Sequence, residues 1–133
     1  MGQDLTVPLP LVLDTCVLVD FLRGHPAAVS FLLSNQDRSL LSPVVIAELH
    51  RGARNDEEIS ELDRLPVLFN TVSISPEIGR QSGAYMREYA ASHGLRFADA
   101  VIAATTTSES AALATLNVRH FPMFAGLEPP YDA

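Results

Sequence analysis

The stretch Leu11–Gly24, LVLDTCVLVDFLRG, decides how this chain is read. A short apolar run leads to Asp14, and apolar sequence then resumes through a second acid, Asp20, to a glycine. The run suits a strand buried on both faces, as in a parallel sheet, and the residues beyond Asp14 suit a helix that Gly24 stops. Leu9–Asp14 is therefore predicted as the first strand and Val17–Arg23 as the first helix. Asp14 falls at the carboxyl end of that strand. A carboxylate at the edge of a core is costly to hold unless it is paired, hydrogen-bonded or bound to a cation.

The same alternation continues outward. Pro26 opens a second helix using Val29, Leu32 and Leu33, and Ser39–Leu41 reads as a second strand. Ser42 followed by Pro43 has the form of an N-cap and a first helical residue, predicting a helix through Ile46, Leu49 and Ala53. Asn55 or Asp56 caps a further helix with Ile59, Leu62 and Leu65 facing inward, and Pro66 closes it. Val67–Ile74 is the third predicted strand. Ser75, Pro76 and Glu77 repeat the capping signature and open a helix to about His93, which Gly94 ends. Phe97 to about Thr107 reads as an unusually apolar helix, Ala111–Leu116 as the last buried strand, and the tail with Pro129 and Pro130 as irregular. No repeat, low-complexity tract or linker interrupts residues 1–133, so a single domain is expected. Short apolar strands between helices predict an α/β fold with a parallel sheet covered on both faces. Ligands in such sheets sit beyond the carboxyl ends of the strands, near the point where strand order reverses.

Composition narrows the chemistry. With 47% hydrophobic and 19% charged residues, the chain of 133 residues is globular. A net charge of −7 argues against nucleic-acid binding by bulk attraction, so any such contact must be local. All 9 basic residues are arginine; lysine chemistry is excluded, and forked, phosphate-matching guanidiniums remain. The single Cys16 allows neither an internal disulfide nor a thiolate zinc cluster, and reads as a small buried hydrophobe. The 4 histidines show no ligand spacing. No run reaches the roughly 18 apolar residues of a membrane span, and Met1–Pro10 lacks the features of a signal peptide, so a cytoplasmic protein is expected.

Three acids stand in apolar company: Asp14 after LVL, Glu48 in VVIAELHRGA and Asp99 in FADAVIAAT. Each has a purely structural reading. Asp14 suits a helix cap, Glu48 a pairing with His50 or Arg51, and Asp99 a helix-dipole contact. Taken together they can converge at one end of a parallel sheet, where like charges repel unless a cation is present. Carboxylate ligands suit Mg2+ or Mn2+ rather than zinc, and the chemistry suggested is metal-assisted phosphodiester hydrolysis. Asp20 lies on another face of its helix and is read as solvated or structural. Rival phosphate chemistries fit poorly. Haloacid-dehalogenase-like phosphotransferases need a second aspartate where Cys16 stands, receiver domains use a lysine, and no Gly-rich nucleotide loop is present.

The pieces LVLDTCVLVDFLRG, SPVVIAELHRGA, RFADAVIAATTT and ATLNVRHFPMF, in this order, resemble the PIN domain and, within it, the VapC-type toxins of bacterial toxin-antitoxin pairs. The resemblance extends over nearly the whole chain. It implies a three-layer α/β/α sandwich around a parallel sheet and an endoribonuclease requiring Mg2+ or Mn2+. It further implies that Asp14, Glu48 and Asp99 are the acidic metal-site residues. Thr15 matches the hydroxyl residue that often follows the first aspartate, and Thr115 and Asn117 match the last motif. Asn117 stands where many PIN domains carry a fourth acid, which leaves one metal expected in the resting site. On this reading Asn117 and Thr15 position the attacking water, and Arg23, Arg51 and Arg119 are candidates for gripping phosphates, with single-stranded RNA as substrate. A VapB-like antitoxin and a homodimer are the implied partners. Phe21, Leu22, Val29 and Leu33 are read either as a groove for a partner helix or as ordinary core. A binding module that has lost cleavage and a DNA-directed nuclease remain as alternatives on the same residues.

Overall fold

In the computed structural model, which describes residues 8–132, four short parallel strands form one sheet. They are β1 (Leu11–Leu13), β2 (Ser39–Leu41), β3 (Asn70–Thr71) and β4 (Ala112–Ala114), arranged in space as β3-β2-β1-β4. Leu11 lies opposite Ser39 on one side and Ala112 on the other. Successive side chains of a strand point to opposite faces, yet Leu11, Val12 and Leu13 are 4%, 0% and 0% exposed. Both faces of the sheet are therefore covered, which gives the expected three layers.

The covering helices are α1 (Thr15–Leu22), α2 (Pro26–Ser34), α3 (Pro43–Arg51), α4 (Asp56–Leu62), α5 (Leu65–Leu68), α6 (Pro76–His93) and α7 (Phe97–Ser108). Their starts obey the chemistry of the sequence. Ser42 Oγ accepts from the Val44 N–H at 3.2 Å, Asn55 Oδ1 from Glu58 at 2.9 Å, and Ser75 Oγ from Ile78 at 3.2 Å, each satisfying an orphan donor of the first turn. Helix α7 is buried from Asp99 through Thr106, and Thr105 and Thr106 return their hydroxyls to the carbonyls of Val101 and Ile102, so it carries hydroxyls into the core without leaving them unpaired. Among the described residues no single helix is long and apolar enough to cross a membrane.

The structure departs from the sequence-based expectations in several places. Asp14 is not the last strand residue but the N-cap of α1, which begins at Thr15 rather than Val17. Pro66 does not close the helix before it. That helix ends at Leu62, and Pro66 sits in the first turn of the short α5, where its missing N–H costs nothing. The third strand shrinks from Val67–Ile74 to Asn70–Thr71, with Val67 85% exposed on α5. A two-residue edge strand is enough to finish the sheet and leaves little open edge. Of Phe21, Leu22, Val29 and Leu33, the first two follow the ordinary-core reading, packed against the main hydrophobic cluster. Phe21 packs edge-on against Phe69 in the core, Leu22 lines a cleft beside Glu48, Val29 is half-buried, and Leu33 is exposed beside Asn35 and Arg38.

Strand order places the site. From β1 the chain moves to β2 and β3 on one side, then returns to β4 on the other. Strand order therefore reverses between β1 and β4, and ligands of parallel sheets sit beyond the carboxyl ends of the strands at such a point. Asp14 and Thr115 are the first residues beyond them.

Candidate active site

Asp14 is held by the end of β1, where its backbone N–H donates to the Ala114 carbonyl at 2.9 Å and extends the parallel ladder by one bond. Its side chain is 5% exposed and takes hydrogen bonds from neutral donors alone. Oδ1 accepts from the Thr15 N–H at 2.8 Å, which is also the capping bond of α1. Oδ2 accepts from the Thr115 hydroxyl at 2.6 Å and from the Cys16 thiol at 3.5 Å. Burial pushes the Asp14 carboxyl above its ordinary range. The hydrogen bonds from Thr115, Thr15 and Cys16 pull the other way, and the nearby charge of Asp99 adds to the rise.

Thr15 joins two segments. Its N–H caps with Asp14, while its hydroxyl donates to Glu48 Oε1 at 2.6 Å, reaching from α1 to α3. Glu48 is half-buried and does not take up His50 as its partner, since His50 lies 3.6 Å from Asp63. Asp99 sits in the first turn of α7, 5% exposed, where a negative charge also suits the helix dipole. Arg96 Nε donates to its Oδ2 at 3.5 Å, and His120 Nδ1 is 4.0 Å from the same oxygen. The structural readings of Asp14 and Asp99 thus hold, Asp14 as the cap of α1 and Asp99 in the first turn of α7, and the charge of Asp99 still reaches the Asp14 carboxyl.

The PIN domain pattern matches residues 11–126. The chain belongs to the PIN domain family. It is 41% identical over 127 residues to Ribonuclease VapC19 of Mycobacterium tuberculosis, covering 90% of this chain and 98% of that protein. Ribonuclease VapC10 of the same organism is 41% identical over 124 residues, covering 91% and 92%. A chain of the toxin-antitoxin complex from Klebsiella pneumoniae has the same fold, with a TM-score of 0.78 at 26% identity over 92% of this chain and 99% of that one.

The fit of a divalent cation to this PIN domain can be judged from its donors. Asp14 has no cationic side chain on it among the described residues, and it is buried beside a second acid. A carboxylate without a cationic partner, as on Asp14, fits a hard ion such as Mg2+ or Mn2+, whereas Asp99 already has Arg96 at 3.5 Å. Glu48 is linked to the pair through Thr15 instead of standing with it, and among the described residues no three His, Cys, Asp or Glu side chains form a group arranged to hold a metal ion. Full convergence of the three acids, allowed by the sequence, is therefore only partly realised.

The remaining predicted residues separate. A cleft of about 600 Å³ runs between α1, α3 and α4, with Thr15 and Glu48 in its wall and Arg23 and Arg54 lining it, while Asp14 and Asp99 lie outside its lining. Arg54, which sequence reasoning on this PIN domain missed, is held against Glu58 at 2.8 Å, with its own backbone N–H on the same carboxylate. Its signal was present as Arg and Glu four residues apart, but nothing local tied that pair to the motifs. Arg51 is exposed at the end of α3, and Arg119 lines a different depression with His93. Thr115 is fully buried, and Asn117 is exposed, with its backbone N–H on Thr115 Oγ1 at 2.9 Å. Cys16 is half-buried, and its thiol, pushed up to about 11 by burial and by the charge of Asp14, stays protonated and unreactive, as a small hydrophobe would, but it also joins the hydrogen bonds of the site. Asp20 accepts from the Tyr131 hydroxyl at 2.9 Å, which makes its role structural.

Proposed function

We propose that this PIN domain is the toxin of a VapBC-type pair, a cytoplasmic endoribonuclease that requires Mg2+ or Mn2+ and hydrolyses RNA phosphodiester bonds. The observation that carries the reading is the buried pair Asp14 and Asp99 at the reversal of strand order, in a chain 41% identical to two proteins named as ribonucleases. A bound divalent cation would neutralise charge building on the phosphoryl oxygens and acidify water. Asp14 and Asp99 are its holders, and Glu48 supports it from the neighbouring helix. Thr15, placed between Asp14 and Glu48, and Asn117, placed through Thr115, orient the attacking water. Arg23 and Arg54 line the cleft beside Thr15 and are better situated to grip phosphates than Arg51 or Arg119. Single-stranded RNA is the substrate form that fits, because unstacked bases can enter a small cleft.

The partner is a VapB-like antitoxin whose segment covers the cleft, and the toxin pairs as a homodimer. The likeness in fold to a chain of a toxin-antitoxin complex supports the first of these. Size-exclusion with light scattering, alone and after co-expression with the neighbouring gene product, tests both.

Cleavage mapping on total RNA after induction of the chain, beside its Asp99→Ala form, tests the activity. New RNA ends are expected with the intact chain alone, and identical end patterns would sink the proposal. A binding module that has lost cleavage gains support from the lack of a three-acid group among the described residues and from Asn117 in the place of a fourth acid. It requires that calorimetry find no saturable Mg2+ or Mn2+ site, whereas an active nuclease requires one. Matched RNA and DNA oligonucleotides separate the DNA-directed alternative.

A further inference from the structure

The geometry points to Cys16 as a positioning residue that fixes the rotation of the Asp14 carboxylate and leaves Oδ1 as the oxygen open to a cation. This rests on the proposal that Asp14 holds a divalent ion. A carboxylate offers about four lone-pair sites. On Asp14 both sites of Oδ2 are filled, one by the Thr115 hydroxyl at 2.6 Å and one by the Cys16 thiol at 3.5 Å. Oδ1 takes the Thr15 N–H at 2.8 Å and keeps its second site. Cys16 therefore completes the occupation of one oxygen and directs an incoming cation to the other.

The same sulfur has two further ties, one of them to Thr115 Oγ1 at 3.8 Å. The Leu116 N–H donates to Cys16 Sγ at 3.4 Å, and the next amide, that of Asn117, donates to Thr115 Oγ1 at 2.9 Å. Two parallel relays thus run from the loop after β4 onto Asp14 Oδ2, one through Thr115 and one through Cys16. The thiol relay registers Leu116 against the acid from the α1 side, next to the Asn117 amide that Thr115 holds. A thiol that only filled space would need neither the donor nor the acceptor contact.

The test compares Cys16→Val, which fills the volume but neither donates nor accepts, with Cys16→Ser, which does both over a slightly longer gap. Mn2+ is titrated calorimetrically into chelator-stripped full-length protein, and exchange of the Leu116 amide is followed by NMR. Cys16→Val is expected to bind Mn2+ about tenfold more weakly, as loss of an outer hydrogen bond to a metal ligand generally does. Its Leu116 amide should exchange faster, and Cys16→Ser should recover part of both. A valine form that binds Mn2+ like the parent, or a serine form no better than valine, would overturn the assignment. A parent protein with no saturable Mn2+ site would instead remove the proposed function beneath it, which is a distinct result.

Discussion

Asp14 concentrates the energetics of the site in one side chain. Its carboxyl is raised above its ordinary 3.8, first by burial and to a lesser degree by Asp99, against three hydrogen bonds that favour the anion. For an acid raised in the folded state, the stabilising contribution is full below the unfolded value and is lost as pH rises through the folded one. Each unit of elevation is worth about 1.4 kcal/mol. With chelator present, Asp14→Asn should therefore be more stable than the parent at neutral pH, and the advantage should vanish below about pH 4. Denaturant unfolding across pH checks this, and a less stable asparagine form at neutral pH would refute it. Thr15 makes the complementary case. Thr15→Val removes the bond to Glu48 and should cost about 1 kcal/mol while lowering RNA cleavage, and Thr15→Ser should keep both. That Asp14 would sit buried at the edge of the core was legible in the sequence, because an apolar run ends on it. That Thr115 would be its closest partner was not, since the two lie 101 positions apart.

At the scale of elements, local chemistry carried most of the information. Ser42, Asn55 and Ser75 each cap the helix that the sequence assigns to them, because capping is settled within a few residues. Gly94 ends α6 in the left-handed region with φ +63°, and a Cβ there would meet nothing within 4 Å. Gly94→Ala should accordingly lose about 1 kcal/mol from backbone strain alone, measured as a lower unfolding midpoint with RNA cleavage unchanged. The third strand shows where local reading fails. Val67–Ile74 has the residue types of a strand, but Pro66 favours a helical turn, and an edge strand needs only enough length to pair with β2. The number of pairing residues was set by β2, a partner outside the segment.

The whole molecule is closed by its tail. Tyr131 hydrogen-bonds Asp20 and sets its ring near those of His25 and Phe31, with centroids 5.5 and 6.1 Å away, so the end of the chain ties down the corner between α1 and α2. Burial, and then the hydrogen bond to Asp20, raise the Tyr131 hydroxyl, which stays a donor through the physiological range. Tyr131→Phe should lower stability by about 1 kcal/mol in thermal unfolding, and an unchanged midpoint would show the strap to be idle. Asp20, half of the puzzle in LVLDTCVLVDFLRG, is explained by this contact with a residue 111 positions away. By itself the sequence determined the α/β alternation, the helix starts and the buried acids, because hydrophobic period and capping act over a single turn or strand. Tertiary structure alone decided that Glu48 meets Thr15, that Thr115 and Cys16 share one oxygen of Asp14, and that Arg54 rather than Arg51 lines the cleft. Those contacts depend on the reversal that brings β4 beside β1, and on relations between segments far apart in the chain that no local pattern encodes.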